Sequence, residues 1–490
     1  ISTLDAYFSG KRELFKGLAI DKLEQDWQAY PVIRIDLSGS SYLSEQDIQT
    51  VLDSRLKVYE KAFSITEIAS TVAVRFDELI RKAFEKSGKS VVILIDEYDS
   101  PLVHTLDNLE LNEYNRAVLH GFYSVIKKSG EYLRFVLLTG VTKFSQVSVF
   151  SGMNNLRDIS MEDNYAAICG ITQTELEDNF VPEINALANK DGVTYEDTLA
   201  RLKKLYDGYH FSEDSPDVYN PFSVLNTLKK QEFGMYWFQT GTQTFLIKLI
   251  EQSHFDVLRF QDGIHIEVSE IDSFRVGQTN PVPVLYQSGY LTIKGFDKFD
   301  GTLTLGFPNE EVEYGFLKEL LPIFLNDNTS VSDFSALLFK EDLAAQNTES
   351  FLTRLKSLYA SVPYAQGKQD EHYYQSLFYI IFKLMGQFIK VEEHSYKGRS
   401  DAVVQTKDAI YIFEFKLANE SLNANADDST NKSVDTPSQT INKLLAEAMS
   451  QINESGYADS YAASNKQIHK IAIVFSTQER NIVGWQVVLV

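Results

Sequence analysis

Residues 401–416 read Asp-Ala-Val-Val-Gln-Thr-Lys-Asp-Ala-Ile-Tyr-Ile-Phe-Glu-Phe-Lys and predict two strands joined by a turn of two or three residues. Asp401 opens the first strand, and the second strand ends in Glu414-Phe415-Lys416. Because successive side chains of a strand point to opposite faces, Glu414 and Lys416 share one face. We expect Asp401 to reach the same end of this hairpin.

The second strand is apolar on both faces. Ile410 and Ile412 lie on the face that carries the charged residues. Tyr411, Phe413 and Phe415 lie on the other face. Such a pattern is typical of a buried central strand. Charged side chains at the end of a buried strand are costly unless a function requires them.

The charged residues of this hairpin fit a metal site. Asp401, Glu414 and a peptide carbonyl would form an oxygen-lined site that suits Mg²⁺. Lys416 beside it would orient a water molecule or stabilise developing phosphate charge. The simpler alternative is a solvated hairpin end at which Glu414 and Lys416 form an exposed ion pair, because short motifs often occur by chance.

The flanking segments favour the metal site, because they complete an α/β core. Residues Glu371 to Ile389 read as a helix, and Ile471 to Phe475 read as a strand. A second helix is predicted after Pro437 from apolar residues at helical spacing. These residues are Ile441, Leu444, Leu445, Ala448, Met449 and Ile452.

With these elements, the C-terminal part resembles the PD-(D/E)XK nuclease superfamily. Its motif residues are Gly398-x-x-Asp401 and Glu414-Phe415-Lys416, and Gln451 stands where that superfamily often carries a glutamine. The resemblance implies a restriction-endonuclease-like α/β fold in which Asp401 and Glu414 bind one or two Mg²⁺ or Mn²⁺ ions. It also implies catalytic roles for Lys416 and Gln451. Glu371 is either a further ligand or an ordinary carboxylate at a helix start.

A second apolar strand ends in carboxylates in the N-terminal part. Val91 to Ile95 run directly into Asp96-Glu97-Tyr98-Asp99. In P-loop ATPases such an aspartate, here Asp96, helps to hold Mg²⁺, and the following glutamate, here Glu97, polarises the attacking water. The alternative is a helix start capped by Asp99 or Ser100, with Pro101 in the first turn. Capping leaves Asp96 and Glu97 unexplained.

Two further strands fit the same sheet. Val32 to Leu37 and Arg134 to Thr139 each read as a strand, and the second ends in Thr139-Gly140. Alternation of strands and helices predicts a parallel, doubly wound sheet of the P-loop NTPase type. Thr139, at the end of its strand, is placed to sense the γ-phosphate of ATP.

A phosphate loop requires Gly-x-x-x-x-Gly-Lys-Ser/Thr between a strand and a helix. Gly88-Lys89-Ser90 lacks the first glycine and precedes a strand. Gly10-Lys11-Arg12 lacks the following Ser or Thr. Neither segment is therefore interpreted as a phosphate loop.

Nearly the whole chain resembles a bacterial AAA-ATPase-like family that is fused to PD-(D/E)XK nuclease domains. The matching segments are Tyr7-Phe8 with Leu14-Phe15, Asp96 to Leu102, Thr139-Gly140-Val141, Asn154 to Asp158, Tyr206 to Tyr209 and Tyr219 to Phe222. In that family a Gly-Lys-Ser/Thr loop lies immediately before the helix with which this chain is expected to open. The resemblance therefore implies ATP binding with a loop upstream of Ile1.

Composition limits the class of protein. A chain of 490 residues suggests two or three domains, and no apolar run approaches the roughly 18 residues that cross a bilayer. A single cysteine, Cys169, excludes an intrachain disulfide and favours a reducing compartment, so we expect a cytoplasmic protein without membrane contact.

The net charge of −22 argues against broad nonspecific binding to nucleic acid. The charge is uneven, because residues 371–490 hold 14 acidic and 11 basic residues whereas the first 370 hold 54 and 35. The nuclease-like part is therefore close to neutral, and a local basic groove for DNA remains compatible with it.

The middle of the chain is the least informative part. Tyr290 to Phe296 and Thr302 to Phe307 flank a polar turn and predict a hairpin. A helix followed by a hairpin is either a winged module that reads DNA or a structural lid or connector. Leu417 to Gln439 is rich in Asn, Ser, Asp and Ala, so we expect a loop beside the metal site.

These patterns predict a multidomain α/β protein with three parts. An AAA-ATPase-like domain is expected over 1–205, a mostly helical region with a β-hairpin over 206–369, and a nuclease-like domain over 370–490. The expected function is an ATP-coupled, Mg²⁺-dependent nuclease that acts on DNA. The alternative is a nucleotide-binding interaction or signalling protein whose nuclease fold is catalytically idle.

Overall fold

The computed structural model describes most of the 490 residues. The residues outside this description are 67–70, 142–148, 151–154, 238–243, 254, 272–279, 326–335, 361–370, 386–387, 395–398, 419–436, 455, 457, 462–465 and 477.

A parallel sheet of three strands forms the centre of the N-terminal part. The strands are β1 (Val32–Asp36), β2 (Val91–Asp96) and β3 (Leu133–Leu138), in the order β1-β2-β3. All three predicted strands and their parallel arrangement are confirmed. The central strand β2 is fully buried from Val91 to Ile95, as an apolar pattern on both faces predicts.

Helices cover this sheet. They are α1 (Ser2–Phe8), α2 (Ala19–Leu23), α3 (Glu45–Ala62), α4 (Val72–Ser87), α5 (Ser100–Val103) and α6 (Leu109–Lys128). α3, α4 and α6 bury their apolar faces against one side of the sheet, and Phe8 of α1 packs on the other side. Gly88 ends α4 with a left-handed backbone (φ 65°), so Gly88-Lys89-Ser90 is a helix end and not a phosphate loop.

The next part has a small helical core of its own. Its elements are β4 (Ile171–Thr172), α7 (Gln173–Asn179), α8 (Val181–Asp191), α9 (Tyr195–Tyr206), β5 (Val218–Tyr219) and α10 (Pro221–Lys230). Leu176, Leu187, Tyr206 and Val224 are among the buried residues that hold it together. This core contains residues on both sides of position 205, and the boundaries of the three expected parts remain predictions.

A second, antiparallel sheet and several helices follow. The elements are α11 (Thr244–Ser253), α12 (Arg259–Asp262), β6 (Ile264–Glu267), α13 (Val268–Ile271), α14 (Val282–Gln287), β7 (Thr292–Asp297), β8 (Thr302–Gly306), α15 (Glu310–Leu325), α16 (Ala336–Ala344) and α17 (Thr348–Ala360). The predicted hairpin is confirmed as β7 and β8. The sequence analysis missed β6, which pairs with β8.

The C-terminal part is a mixed sheet of five strands. They are β9 (Phe388–His394), β10 (Arg399–Gln405), β11 (Ala409–Ala418), β12 (Gln467–Ser476) and β13 (Asn481–Leu489), in the order β13-β12-β11-β10-β9. β11 and β12 are parallel, and helix α19 (Pro437–Glu454) connects them. β11 is therefore the predicted central strand, and the predicted helix after Pro437 is confirmed.

Several predicted boundaries in this part are wrong. The helix predicted over 371–389 ends at Leu384, as α18 (Glu371–Leu384), because Phe388 and Ile389 pair with β10 instead. Asp401 is the third residue of its strand and does not open it. β11 continues two residues beyond Lys416, so the expected loop of 417–439 loses both ends to β11 and α19. The rest of that loop lies outside the described residues.

Both faces of β11 are covered. Ile410 and Ile412 pack against α19. On the opposite face, Phe413 and Phe415 pack against aromatic rings of α18 and α17. Phe378 of α18 contacts both of these rings, at centroid distances of 4.9 and 5.0 Å. This double cover fixes the strand that carries Glu414 and Lys416.

Among the helices that the structure describes, none combines the length and the apolar character needed to cross a bilayer.

Candidate active site

Strands β10 and β11 bring the two predicted metal-binding carboxylates together. The antiparallel register pairs Ala402 with Phe413, and one further step places Asp401 opposite Glu414. One oxygen of Asp401, Oδ2, accepts a hydrogen bond of 2.6 Å from the backbone N–H of Phe415. The carboxylate of Asp401 is therefore anchored to the strand that carries Glu414.

Glu414 is a buried carboxylate, since only 1% of its surface is exposed. Its Oε1 atom accepts a hydrogen bond of 3.1 Å from Lys416 Nζ, while Oε2 has no hydrogen-bond partner among the residues that the structure describes. Burial raises the pKa of Glu414 to about 7, with the charge of Asp401 as a second cause and Lys416 acting against both. A buried oxygen atom without a partner is costly and requires an explanation.

Lys416 and Gln451 connect the strand to helix α19. Lys416 Nζ donates a hydrogen bond of 2.7 Å to Gln451 Oε1 in addition to the bond with Glu414. The structure thus brings Asp401, Glu414, Lys416 and Gln451 into one cluster. Gly398 and the side chain of Glu371 lie outside the described residues, so the proposed contribution of Glu371 stays a prediction.

The donor set fits a hard divalent cation. Two carboxylates at the end of a buried strand supply oxygen ligands, and Glu414 Oε2 is available for one bond. Among the described residues, no group of three or more His, Cys, Asp or Glu side chains is arranged to hold a metal ion. Main-chain or water oxygens would therefore complete the coordination shell around Asp401 and Glu414.

The second predicted site lies at the carboxyl end of β2. Thr139 Oγ1 donates a hydrogen bond of 2.6 Å to Asp96 Oδ1. The backbone N–H of Thr139 continues the sheet by donating to the carbonyl of Ile95. Asp96 and Thr139 were each predicted to stand at the end of a strand. The parallel pairing of β2 and β3 explains why their side chains meet.

Glu97 lies beside Asp96 in a left-handed backbone conformation (φ 50°), which is uncommon for a residue other than glycine. Its side chain is half-buried. Burial raises the pKa of Glu97, and the negative charges of Asp36, Asp96 and Asp99 act in the same direction. This edge therefore carries more negative charge than its local cations offset.

The sequence analysis missed Asp36. It is the last residue of β1 and pairs with Asp96 in the register of the sheet. Its side chain accepts a hydrogen bond of 2.9 Å from the backbone N–H of Ser38. The signal was present, because Asp36 ends an apolar strand as Asp96 does, but only the strand order shows that the two strands are neighbours.

Asp99 has a different role from the predicted one. It occupies the N-cap position of α5, yet its side chain makes no capping hydrogen bond. Asp99 is fully buried, and its Oδ1 accepts a hydrogen bond of 3.2 Å from the backbone N–H of Val141. Gly140 permits this approach, since a Cβ there would lie 2.5 Å from that oxygen. Asp99 thus fixes the segment after β3.

Comparisons with known proteins found a family match for the N-terminal part and another for the C-terminal part. A family model described as "Predicted AAA-ATPase" matches residues 1–150. A second family model, described as "PD-(D/E)XK nuclease superfamily", matches residues 369–485. No solved structure was found that matches the chain.

One relative aligns with this chain over nearly its whole length. The "Uncharacterized protein in vnfD 5'region" of Azotobacter chroococcum mcd 1 is 32% identical over 495 aligned positions. The alignment covers 99% of this chain and 89% of the relative. This chain therefore belongs to the family of predicted AAA-ATPases that carry a PD-(D/E)XK nuclease-superfamily domain in the same polypeptide.

Proposed function

We propose that the protein is a metal-dependent nucleic-acid phosphodiesterase whose activity is coupled to an ATP-binding domain. The observation that carries the nuclease part is the unpartnered Oε2 atom of Glu414, buried opposite Asp401. A divalent cation would satisfy that atom and offset the repulsion between the two carboxylates. The ion pair with Lys416 alone leaves this oxygen unsatisfied.

Each residue has a chemical role in this proposal. Asp401 and Glu414 hold Mg²⁺ or Mn²⁺, which when bound would act as a Lewis acid on the scissile phosphate. Lys416 orients the attacking water or stabilises the charge that develops on the phosphate. Gln451 keeps the ammonium group of Lys416 near the carboxylates through its 2.7 Å hydrogen bond.

The substrate in this proposal is nucleic acid, most simply DNA. Phosphodiesters are the substrates that this donor set suits, and the near-neutral C-terminal part repels them less than the acidic remainder does. Asp96, Glu97 and Thr139 would serve Mg²⁺-ATP at the edge of the N-terminal sheet. A cytoplasmic location belongs to the same proposal.

Direct cleavage assays test the nuclease part. Purified protein is incubated with Mg²⁺ or Mn²⁺ and single- or double-stranded DNA or RNA, and Mn²⁺ binding is measured separately by calorimetry. We expect Glu414→Gln to lose Mn²⁺ binding and cleavage together. We expect Lys416→Ala to retain most Mn²⁺ binding and to lower the cleavage rate by a factor of about 10²–10⁴, the range typical of a positioned proton-transfer or electrostatic group.

Lys470→Ala is the matched control. Lys470 lies on the adjacent strand β12 and bonds Asn453 of α19, so the change removes the same charge from the same sheet. Its cleavage rate should stay close to that of the wild type. Cleavage that survives Lys416→Ala unchanged would reject the assigned active site.

The alternative function has one observation in its favour. Lys416 forms an ion pair with Glu414, as it would in a catalytically idle nuclease fold. This alternative predicts that saturating Mn²⁺ leaves the C-terminal site empty, with ATP changing only the binding of a partner. Calorimetric Mn²⁺ titration of the wild type and of Glu414→Gln distinguishes the two functions.

A further inference from the structure

Arg55 lies at the same sheet edge as the proposed nucleotide-binding residues. It belongs to helix α3, and its Nε–H donates a hydrogen bond of 2.8 Å to the backbone carbonyl of Asp36. Asp36 is the register partner of Asp96. The guanidinium group of Arg55 is therefore held beside the carboxyl ends of β1 and β2.

Most of the hydrogen-bonding capacity of Arg55 is unused. A guanidinium group carries five N–H donors, and the bond to Asp36 uses the Nε–H only. Within the part of the chain that the structure describes, neither Nη atom of Arg55 has a hydrogen-bond or ion-pair partner. Arg55 is half-buried, and its Nε end is held to β1 by the hydrogen bond to Asp36.

The surroundings of Arg55 are strongly acidic. Burial acts to raise the pKa of Asp36, but hydrogen bonds from Ser38 and then the charges of Arg55 and Arg34 outweigh it and lower this pKa. Burial raises the pKa of Tyr42, whose hydroxyl donates to the carbonyl of Leu37, while the charge of Arg55 lowers this pKa and that of Glu97 raises it. Asp96 adds further negative charge there. Arg55 is thus a cation among carboxylates, and it forms no ion pair with any carboxylate in the described part of the chain.

A structural role accounts for only part of this arrangement. Bracing α3 against β1 needs the bond from Nε to the carbonyl of Asp36 and nothing more. The planar pair of Nη groups matches the oxygen atoms of a phosphate, which guanidinium groups bind through two parallel hydrogen bonds. A terminal phosphate is also where a positive charge has most effect during phosphoryl transfer.

We propose that Arg55 contacts the terminal phosphate of a nucleoside triphosphate bound at this edge and so distinguishes ATP from ADP. The inference rests on the nucleotide binding proposed above. It concerns a residue on α3, apart from the Asp96, Glu97 and Thr139 set. Because the contact is made to the third phosphate, ADP binding does not depend on it.

Nucleotide binding without turnover tests this assignment. The affinities of the intact chain for Mg²⁺-ATP and Mg²⁺-ADP are measured by calorimetry for the wild type, Arg55→Ala and Arg55→Lys. We expect Arg55→Ala to weaken ATP binding by a factor of about 10 or more, as for a lost charge-assisted pair, and to change ADP binding by less than about 3-fold. Arg55→Lys should recover part of the ATP affinity, because it restores the charge but not the planar fork.

Arg81→Ala is the matched control. Arg81 is exposed on α4 and pairs with Glu85. Its replacement by alanine removes the same charge as Arg55→Ala does. Thermal unfolding without nucleotide shows whether each variant is folded, and Arg55→Lys serves if Arg55→Ala is not.

The outcomes separate this inference from the proposed function. If the wild type binds neither nucleotide, the nucleotide part of the proposed function is rejected and the assignment of Arg55 falls with it. If the wild type binds both and the folded Arg55 variants lose ATP and ADP affinity equally, or lose neither, only the assignment of Arg55 is overturned.

Discussion

Lys416 Nζ lies 2.7 Å from Gln451 Oε1 and 3.1 Å from Glu414 Oε1, so one ammonium group joins helix α19 to strand β11. The two acceptors share the same cation, whose three N–H donors allow both hydrogen bonds at once. Because Gln451 also accepts a hydrogen bond from Lys416, Glu414 is not the sole acceptor that holds this ammonium group in place. Gln451 is therefore a positioning residue, which acts on the site through Lys416.

Replacing Gln451 by leucine should lower the rate of cleavage more than it lowers metal affinity. Without its amide acceptor, Lys416 turns towards Glu414 or solvent, and the loss of a hydrogen bond to a charged group costs about 1.5–3 kcal/mol, or roughly 10- to 100-fold. Cleavage rates and calorimetric Mn²⁺ affinities measured in parallel check this. Asn453→Ala, on the same helix, is the control, and an equal effect of the two changes would contradict the role of Gln451.

Asp401→Asn and Asp401→Ala should have different effects on stability. Asparagine keeps an oxygen atom that can accept the hydrogen bond from the Phe415 N–H, whereas alanine leaves this half-buried donor without its partner. We expect alanine to lower the free energy of unfolding by about 1–3 kcal/mol relative to asparagine. Urea unfolding measures the difference, while both variants should lose Mn²⁺ binding. Equal stabilities would show that the hydrogen bond from Phe415 does not anchor Asp401.

Gly140→Ala should disturb the edge of the N-terminal sheet that is proposed to bind nucleotide. An alanine Cβ there would lie 2.5 Å from Asp99 Oδ1 and 2.6 Å from the ring of Tyr98, so the buried carboxylate or the chain must move. Such overpacking costs about 1–3 kcal/mol. Gly121→Ala is the control, because a Cβ at that helical position meets nothing within 4 Å. Thermal or urea unfolding should show a loss for Gly140→Ala and no loss for Gly121→Ala.

Glu311 should make the stability of the protein depend on pH. It is fully buried on α15 and accepts hydrogen bonds from Ser223 Oγ and the Trp237 N–H. Burial raises the pKa of Glu311, so its contribution to stability is complete below the unfolded-state pKa and is lost as the pH rises through the folded-state pKa.

Glu311→Gln removes this titration. The free energy of unfolding of the variant relative to the wild type should therefore increase as the pH rises from about 4.5 through the raised folded-state pKa of Glu311. Glu310→Gln, a change at the exposed neighbour that pairs with Lys204, is the control. Urea unfolding at several pH values checks the trend, and parallel curves for wild type and Glu311→Gln would contradict it.

The nuclease fold should depend on helix α17, which lies outside the segment matched by the nuclease family model. The ring of Phe351 packs 5.3 Å from Phe382 and 6.3 Å from Phe413, beside Glu414. Phe351→Ala should lower the free energy of unfolding by about 3–5 kcal/mol and weaken Mn²⁺ binding at the site. Leu337→Ala, at a position with 62% of its surface exposed, should be nearly neutral. Unchanged Mn²⁺ affinity in Phe351→Ala would show that the site does not depend on this helix.

The strands that carry the charged site residues could be predicted because their apolar pattern is visible in a short stretch of sequence. Val91 to Asp96 and Ala409 to Lys416 are apolar on both faces and end in carboxylates, which is enough to identify buried strands with functional ends. Pairing partners are not local. β6, β9 and β13 were missed because each strand forms only when a distant strand offers its hydrogen-bonding edge.

The sequence by itself determined which residues carry the proposed chemistry, because Asp401, Glu414, Lys416 and Asp96 are charged residues of apolar strands that composition and alternation reveal. Tertiary structure alone decided their surroundings. It placed Asp36 beside Asp96 and Arg55 against Asp36, brought Asp99 to the N–H of Val141, and left Glu414 Oε2 buried without a partner among the described residues. Strand order and burial set these relationships, and both depend on contacts between residues far apart in the chain.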